Sequence, residues 1–224
     1  MLSGKERFRT QKDRIRKRLL KYTRKAFKMI PRLDSPCILD IGCGTGAPTM
    51  ELARLSDGEI TALDIDQQSL DALNKKIAKS GIQDRIKAIK CSIFDMEFPD
   101  ESFDIIWAEG SVNVIGFERG LKEWKRFVKS EGFLVIHDEQ GDIEQKLKQI
   151  SLCGYELLGY FLLDKDKWLA EYFSPLQKLV LESRAKYAND AEVLKEIQDA
   201  EQEIDIFKKD PERTSSVCFV LKKR

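Results

Sequence analysis

Along the first thirty positions apolar residues recur at Phe8, Ile15, Leu19, Tyr22, Ala26 and Ile30, at intervals of seven, four, three, four and four. This predicts one apolar stripe on an otherwise basic helical rod, stopped by Pro31 and Pro36. The period then changes. CILDI (37–41) is a short apolar run bounded by polar and glycine residues and predicts a buried strand. Residues 47–58 predict a helix with Pro48 in its first turn and Gly58 just past its end. Strands are predicted at 59–65, 85–93, 103–110, 133–138, 155–163 and 214–223, and helices at 67–81, at 116–132 and before Gly154. Strands separated by helices of this length imply right-handed crossovers and a mostly parallel sheet. The expected fold is therefore α/β: a doubly wound, Rossmann-like three-layer sandwich with seven strands. Residues 165–212 form a charged helical insertion between the last two strands, and the chain divides into a basic N-terminal helix (1–33) and one domain (34–224).

Composition narrows the class without changing this outline. Hydrophobic residues make up 42% and aromatics 9% of the 224 residues, as in a globular chain. No apolar run approaches the ~18 residues of a membrane span, and the charged N-terminus lacks the apolar stretch of a secretory signal. Five cysteines (Cys37, Cys43, Cys91, Cys153, Cys218) are scattered and form no CxxC pair; this argues for a reducing, cytoplasmic setting and against a zinc site. His137 is the only histidine, so a multi-histidine metal centre is excluded. The net charge of +1 conceals an asymmetry: residues 1–33 carry 13 Lys/Arg against Glu6 and Asp13, leaving +11 there and −10 on the rest.

The first strand runs into Asp40-Ile-Gly42-Cys43-Gly44-Thr-Gly46 and directly into a helix. Glycines let the backbone turn sharply and approach a ligand, and the free N–H groups of the following helix add partial positive charge. Asp64 ends the second strand, 22 residues after Gly42, where a carboxylate can accept hydrogen bonds from ribose hydroxyls. Gly42, Gly44 and Ala47 also satisfy the dinucleotide fingerprint, which makes a nicotinamide-dependent oxidoreductase the competing enzyme. Asp40 weighs against it. A pyrophosphate gains nothing from an extra negative charge, whereas a ligand carrying an amino group and a sulfonium does.

ILDIGCGTG followed by ITALDID resembles the first two motifs of the class I S-adenosylmethionine-dependent methyltransferases, and the resemblance continues through FPDESFDIIWAEG and LKEWKRFVKSEGFLVIHD, over residues 36–138. WAEGSVNVIGFERG with WLAEYFSPL (168–176) is similar to a prokaryotic branch of that family with no assigned acceptor. The resemblance implies S-adenosylmethionine as cofactor and S-adenosylhomocysteine as product. It sets Asp40, Gly42, Cys43, Gly44 and Gly46 around the methionine portion, Asp64 on the ribose, and Ile65, Ser92 and Ile93 at the adenine. Many relatives carry an acid where Ser92 stands. Glu109 would face the methionine moiety or the acceptor. The last strand would run antiparallel beside the sixth. The Asn/Asp-Pro-Pro-Tyr segment of base N-methylating relatives is replaced here by Ala108-Glu109-Gly110-Ser111.

A sulfonium methyl is already an activated electrophile, so the protein's tasks are alignment and, for some acceptors, removal of a proton. His137, at the carboxyl end of the fifth strand, is the first candidate base and Glu109 the second. Trp168 and Tyr172, one helical turn apart in the insertion, are candidates to wall the acceptor pocket beneath a lid; ordinary core packing is the competing reading and is favoured. The basic helix has three readings: docked over the cofactor with Arg24 or Lys28 near its carboxylate, bound to RNA or membrane phosphates, or a solvated face. The expected function is methyl transfer to a small-molecule acceptor, with no metal and no membrane. An RNA-binding or RNA-modifying protein is the alternative, although nucleic acid is not favoured as a partner, and the oligomeric state stays open.

Overall fold

A computed structural model describes residues 3–224. In chain order the elements are α1 (Gly4–Arg16), α2 (Leu20–Phe27), β1 (Cys37–Ile41), α3 (Ala47–Leu55), β2 (Glu59–Asp64), α4 (Gln67–Ser80), β3 (Ile86–Lys90), β4 (Phe103–Glu109), α5 (Val112–Ile115), α6 (Phe117–Trp124), β5 (Val128–Glu139), α7 (Ile143–Leu152), β6 (Tyr155–Leu163), α8 (Lys165–Trp168), α9 (Ser174–Lys186), α10 (Ala191–Lys209) and β7 (Ser216–Lys223). Seven strands form one sheet in the order β3-β2-β1-β4-β5-β7-β6, six parallel, as the alternation of periods implies, and β7 antiparallel, as the resemblance implies.

The chain forms two compact units. One contains the chain up to Lys21 together with Leu163–Ser216; the other contains Tyr22–Leu162 and Val217–Arg224. The apolar stripe of the N-terminal segment is shared between them. Phe8 is fully buried in the first unit, among Tyr172, Phe173, Leu176, Val193 and Ile197, with Ile15 and Leu19 packed against the same cluster. Ala26 and Ile30 are buried in the second unit, where the Tyr22 ring stacks on Phe161 at 6.2 Å. Between α1 and α2 the helix tightens to a 3-10 turn over Lys17–Leu19.

In the second unit the sheet's core is carried by Leu39, Ile41, Leu63, Ile106, Ala108, Leu134 and Ile136, which cluster with Val112, Leu121, Trp124, Phe127 and Phe219. The α4 boundaries are set locally: the Asp66 carboxylate accepts from the Gln68 and Ser69 backbone N–H groups, and Gly81 takes the left-handed closing conformation.

Several expected boundaries move. The helix predicted over 116–132 stops at Trp124; after a 3-10 turn, β5 begins at Val128, which pairs with Phe103 of β4 before an irregularity brings Phe133 opposite Ile105. Glu131 takes φ +63° within this bulge. The charged run Lys-Ser-Glu-Gly has no strand pattern of its own; burial of Phe127 and Val128 against the core brings it into the sheet. β3 ends at Lys90, three residues early, as the chain turns into the loop that carries Ser92, Ile93 and Phe94.

Candidate cofactor and methyl-transfer site

Register fixes the site within the second unit. β1 pairs with β2 on one side and β4 on the other, so Asp40 lies opposite both Ala62 and Trp107. Strand order reverses at this point, which in an open α/β sheet opens a crevice at the carboxyl ends. Side chains two residues apart share a face, so Asp64 (two beyond Ala62) and Glu109 (two beyond Trp107) lie on the same face as Asp40. Glu109 pairs in register with His137, and Asp64 with Lys90. The predicted Asp40, Asp64, Glu109 and His137 thus share one face at one end of the sheet.

The glycine loop turns over that edge. Gly42, Gly44 and Gly46 have φ of +73°, +52° and +79°. The Gly42 and Cys43 N–H groups both donate to the Leu63 carbonyl at 2.9 Å, and Gly44 N–H donates to Asp64 Oδ2 at 2.7 Å. Asp64 Oδ1 accepts the Asp66 N–H at 2.8 Å. The Asp64 carboxylate therefore braces the loop. A Cβ on Gly44 would meet nothing within 4 Å, which leaves the backbone open to a ligand's approach. Ile65, after β2, is 68% exposed, and Phe94, after β3, is 52% exposed. Ile93 packs instead against the sheet's core, and the Ser92 hydroxyl accepts the Phe94 N–H at 3.2 Å. Cys43 is buried, and burial raises its thiol, which stays protonated.

Charge shapes this edge. Asp40 is 1% exposed and accepts the Thr49 hydroxyl at 2.6 Å; burial pushes its carboxyl up to about 7, the Thr49 bond opposes this, and Glu109 and Asp64 add to it. Glu109 Oε1 accepts the Thr23 hydroxyl at 2.8 Å and the Trp107 indole N–H at 2.8 Å. Burial raises Glu109 too, against those two bonds. His137 is pulled down to about 4, because burial disfavours the imidazolium more than neighbouring Asp138 supports it. A cation entering here relieves the mutual repulsion of three carboxylates, so the residues present fit a sulfonium amino acid with an adenosyl group.

Other expected positions resolve differently. Arg24 Nη1 lies 2.8 Å from Glu51 Oε1, and Arg54 holds the other Glu51 oxygen at 2.9 Å; Lys28 is exposed. In the first unit, the candidate acceptor walls Trp168 and Tyr172 are half-buried and buried respectively, and both side chains are hydrogen-bonded. Tyr172 is 3% exposed and donates to Glu203 Oε1 at 2.8 Å, and the Trp168 indole donates to Ser216 Oγ at 2.9 Å. Tyr172→Phe is accordingly expected to cost the first unit about 1 kcal/mol in thermal unfolding and leave cofactor affinity unchanged; altered affinity would return Tyr172 to ligand contact. Sequence reasoning missed Thr23, Thr49, Phe94, Trp107 and Ser111, which complete this constellation.

Residues 39–136 match the methyltransferase domain family. The matched stretch runs from β1 to β5 and is less than half of the chain, which over it is similar to methyltransferases. It is 28% identical over 169 residues to sterol 24-C-methyltransferase ERG6B of Gibberella zeae, an alignment covering 62% of this chain and 44% of that one. The chain spans less than half the length of the curated relatives it matches. Among solved structures, its fold resembles an S-adenosylhomocysteine complex of a methyltransferase from Thiobacillus denitrificans (TM-score 0.70, 14% identity, 91% of each chain). It equally resembles the [4+2]-cyclase SpnF (TM-score 0.70, 19% identity, 91% of this chain and 80% of that one).

Proposed function

We propose that this protein transfers the methyl group of S-adenosylmethionine to a small-molecule acceptor. The observation that carries the reading is the placement of Asp40, Asp64 and Glu109 on one face of the sheet edge beneath a glycine loop of positive φ. Gly42, Gly44 and Gly46 admit the ligand backbone-close, Asp64 takes the ribose hydroxyls, and Ile65 and Phe94 flank the adenine. Asp40 and Glu109 face the positive charges of the methionine end. The cofactor supplies an activated methyl; the chain supplies orientation, charge and, for acceptors that need it, a place for a proton.

Glu109 suits that last task better than His137. A base works best when its affinity for protons matches the working pH. Burial shifts Glu109 upward toward neutrality and His137 away from it, to about 4. His137 serves as a neutral hydrogen-bonding wall beside Glu109.

A small acceptor is favoured by the sterol named for the Gibberella relative and by the state of the basic segment. In α1, Lys5, Arg9 and Lys12 pair with Glu192, Glu196 and Glu203 of α10, so much of its charge is answered within the protein rather than held for phosphates.

The test is a label-transfer assay with methyl-labelled S-adenosylmethionine across sterols, quinols, polyketides and small amines, with a structured RNA as comparison. Label in one small-molecule class and none in RNA is expected; label confined to RNA would overturn the acceptor class. Methyl-independent conversion of a substrate, as the likeness to a cyclase allows, would overturn the transfer itself. His137→Asn is expected to keep turnover within about tenfold of wild type, whereas Glu109→Gln loses about tenfold in cofactor affinity as well as rate.

A further inference from the structure

Thr23 stands beside the stripe residue Tyr22 in the N-terminal segment, four residues after Leu19 and three before Ala26. It is 2% exposed, where a threonine offers no more apolar surface than a valine and must also satisfy its hydroxyl. That hydroxyl donates to Glu109, 86 residues away in sequence. Neighbouring packing holds α2 in place for it: Phe27 lies 6.3 Å from the Trp107 ring, Lys25 Nζ lies 4.3 Å from the centre of the Phe161 ring, and Arg24 is tied to Glu51. Trp107 in turn donates its indole N–H to the same Glu109 oxygen. Both donors thus converge on Oε1, and Oε2 accepts no hydrogen bond among the described residues.

We propose that Thr23 is a positioning residue for the cofactor: with Trp107 it clamps one oxygen of Glu109, fixes the carboxylate's orientation and leaves the second oxygen for the cationic methionine end. This rests on Glu109 belonging to the cofactor site. The clamp also favours the ionised carboxylate, because both donors hydrogen-bond to it while burial acts the other way. The groups around Glu109 are Asp40 on β1, His137 in register on β5, Cys218 on β7, and Lys25 on α2, which acts with Glu109 on Cys218. Of these, Asp40 repels the anion, His137 is neutral at working pH, the buried Cys218 thiol is protonated and Lys25 lies over the Phe161 ring, so among the described residues no ion pair is formed with the carboxylate.

The sign follows. Without the Thr23 hydroxyl, Glu109 holds its proton to higher pH, and a site bearing a protonated Glu109 binds a cationic ligand more weakly. Thr23→Val, which keeps the shape, is expected to weaken S-adenosylmethionine binding several-fold near neutrality and to shift its pH midpoint upward, in calorimetric titrations from about pH 5.5 to about pH 9. S-adenosylhomocysteine, which lacks the sulfonium charge, should show a smaller shift. Thr23→Ser should restore wild-type behaviour, and in a Glu109→Gln background Thr23→Val should have no further effect. A Thr23→Val protein with a lowered melting temperature but unchanged affinity and pH midpoint would make Thr23 a packing residue only and overturn the proposal. The same loss with Glu109 replaced would also overturn it. Wild-type affinity in Glu109→Gln alone would instead remove Glu109 from the site and take the underlying reading with it.

Discussion

Asp64→Ala is expected to weaken S-adenosylmethionine and S-adenosylhomocysteine binding about a hundredfold, and Asp64→Asn is expected to do nearly as much damage despite its matching shape. The reason lies in what the carboxylate already does. One oxygen accepts the Gly44 N–H at 2.7 Å and the other the Asp66 N–H at 2.8 Å, so both must be acceptors for the loop and the α4 entry to keep their course. A carboxamide supplies one oxygen and one NH2, and its NH2 would face a backbone donor whichever way it is turned. The variant therefore loses a loop bond and the charge that would hold the ribose hydroxyls. Hydrogen bonds to an ionised group contribute about 1.5–3 kcal/mol each, and about 2.7 kcal/mol is a hundredfold in affinity. Titration calorimetry on folded variants measures this directly. Asparagine binding within about threefold of wild type would mean that Asp64 contributes its shape alone.

The same residue shows what was legible in the sequence. Asp64 and the glycine loop could be read because they depend on local chemistry: a strand end, a turn needing positive φ and a helix start follow one another within a few residues. The sheet was legible for a related reason, since each βαβ unit repeats a change of period. Less legible was whatever depends on packing across distance. The helix predicted through 116–132 ends early because Val128 finds Phe103 in β4, a pairing absent from the local pattern. Arg24 meets Glu51, and Thr23 meets Glu109, through the docking of α2, which the apolar stripe announces without naming its partners. Thr23 still left a trace: a hydroxyl beside the stripe, four residues after Leu19, needs an acceptor once it is buried. Trp107 left another, two residues before Glu109 on the same strand face.

The division of the N-terminal segment is a further case. The stripe looks continuous in sequence, yet Phe8 joins the cluster formed with α9 and α10 while Ala26 belongs with the sheet. Periodicity reports that a face is buried and says nothing about which core buries it. The same holds for Trp168 and Tyr172. Their one-turn spacing is equally that of a pocket wall and of a packed helix, and the bonds to Ser216 and Glu203 are partners that the spacing does not name.

Gly42→Ala should lower stability strongly, and its cause can be separated into two parts. The backbone there has φ +73°, which an L side chain adopts at a cost of about 1 kcal/mol. The new methyl would also lie 2.5 Å from Ser111 Cβ, well inside contact distance. Ser111 cannot easily yield, because its hydroxyl donates to the Ile41 carbonyl at 2.6 Å and so ties the start of the β4–α5 connection to the end of β1. Overpacking of this kind adds about 1–3 kcal/mol, for a total of about 3 kcal/mol and a melting temperature lowered by about 10 °C in a chain of this size. A double-mutant cycle divides the two parts. In a Ser111→Gly background the contact is gone and only the φ cost remains, so Gly42→Ala should then destabilise by about 1 kcal/mol. Because the displaced loop also carries Cys43 and Gly44, S-adenosylmethionine affinity should fall in the single variant and partly return in the double. If the two substitutions prove additive, the approach of β1 to the β4 loop does not restrict position 42, and backbone conformation alone demands glycine there.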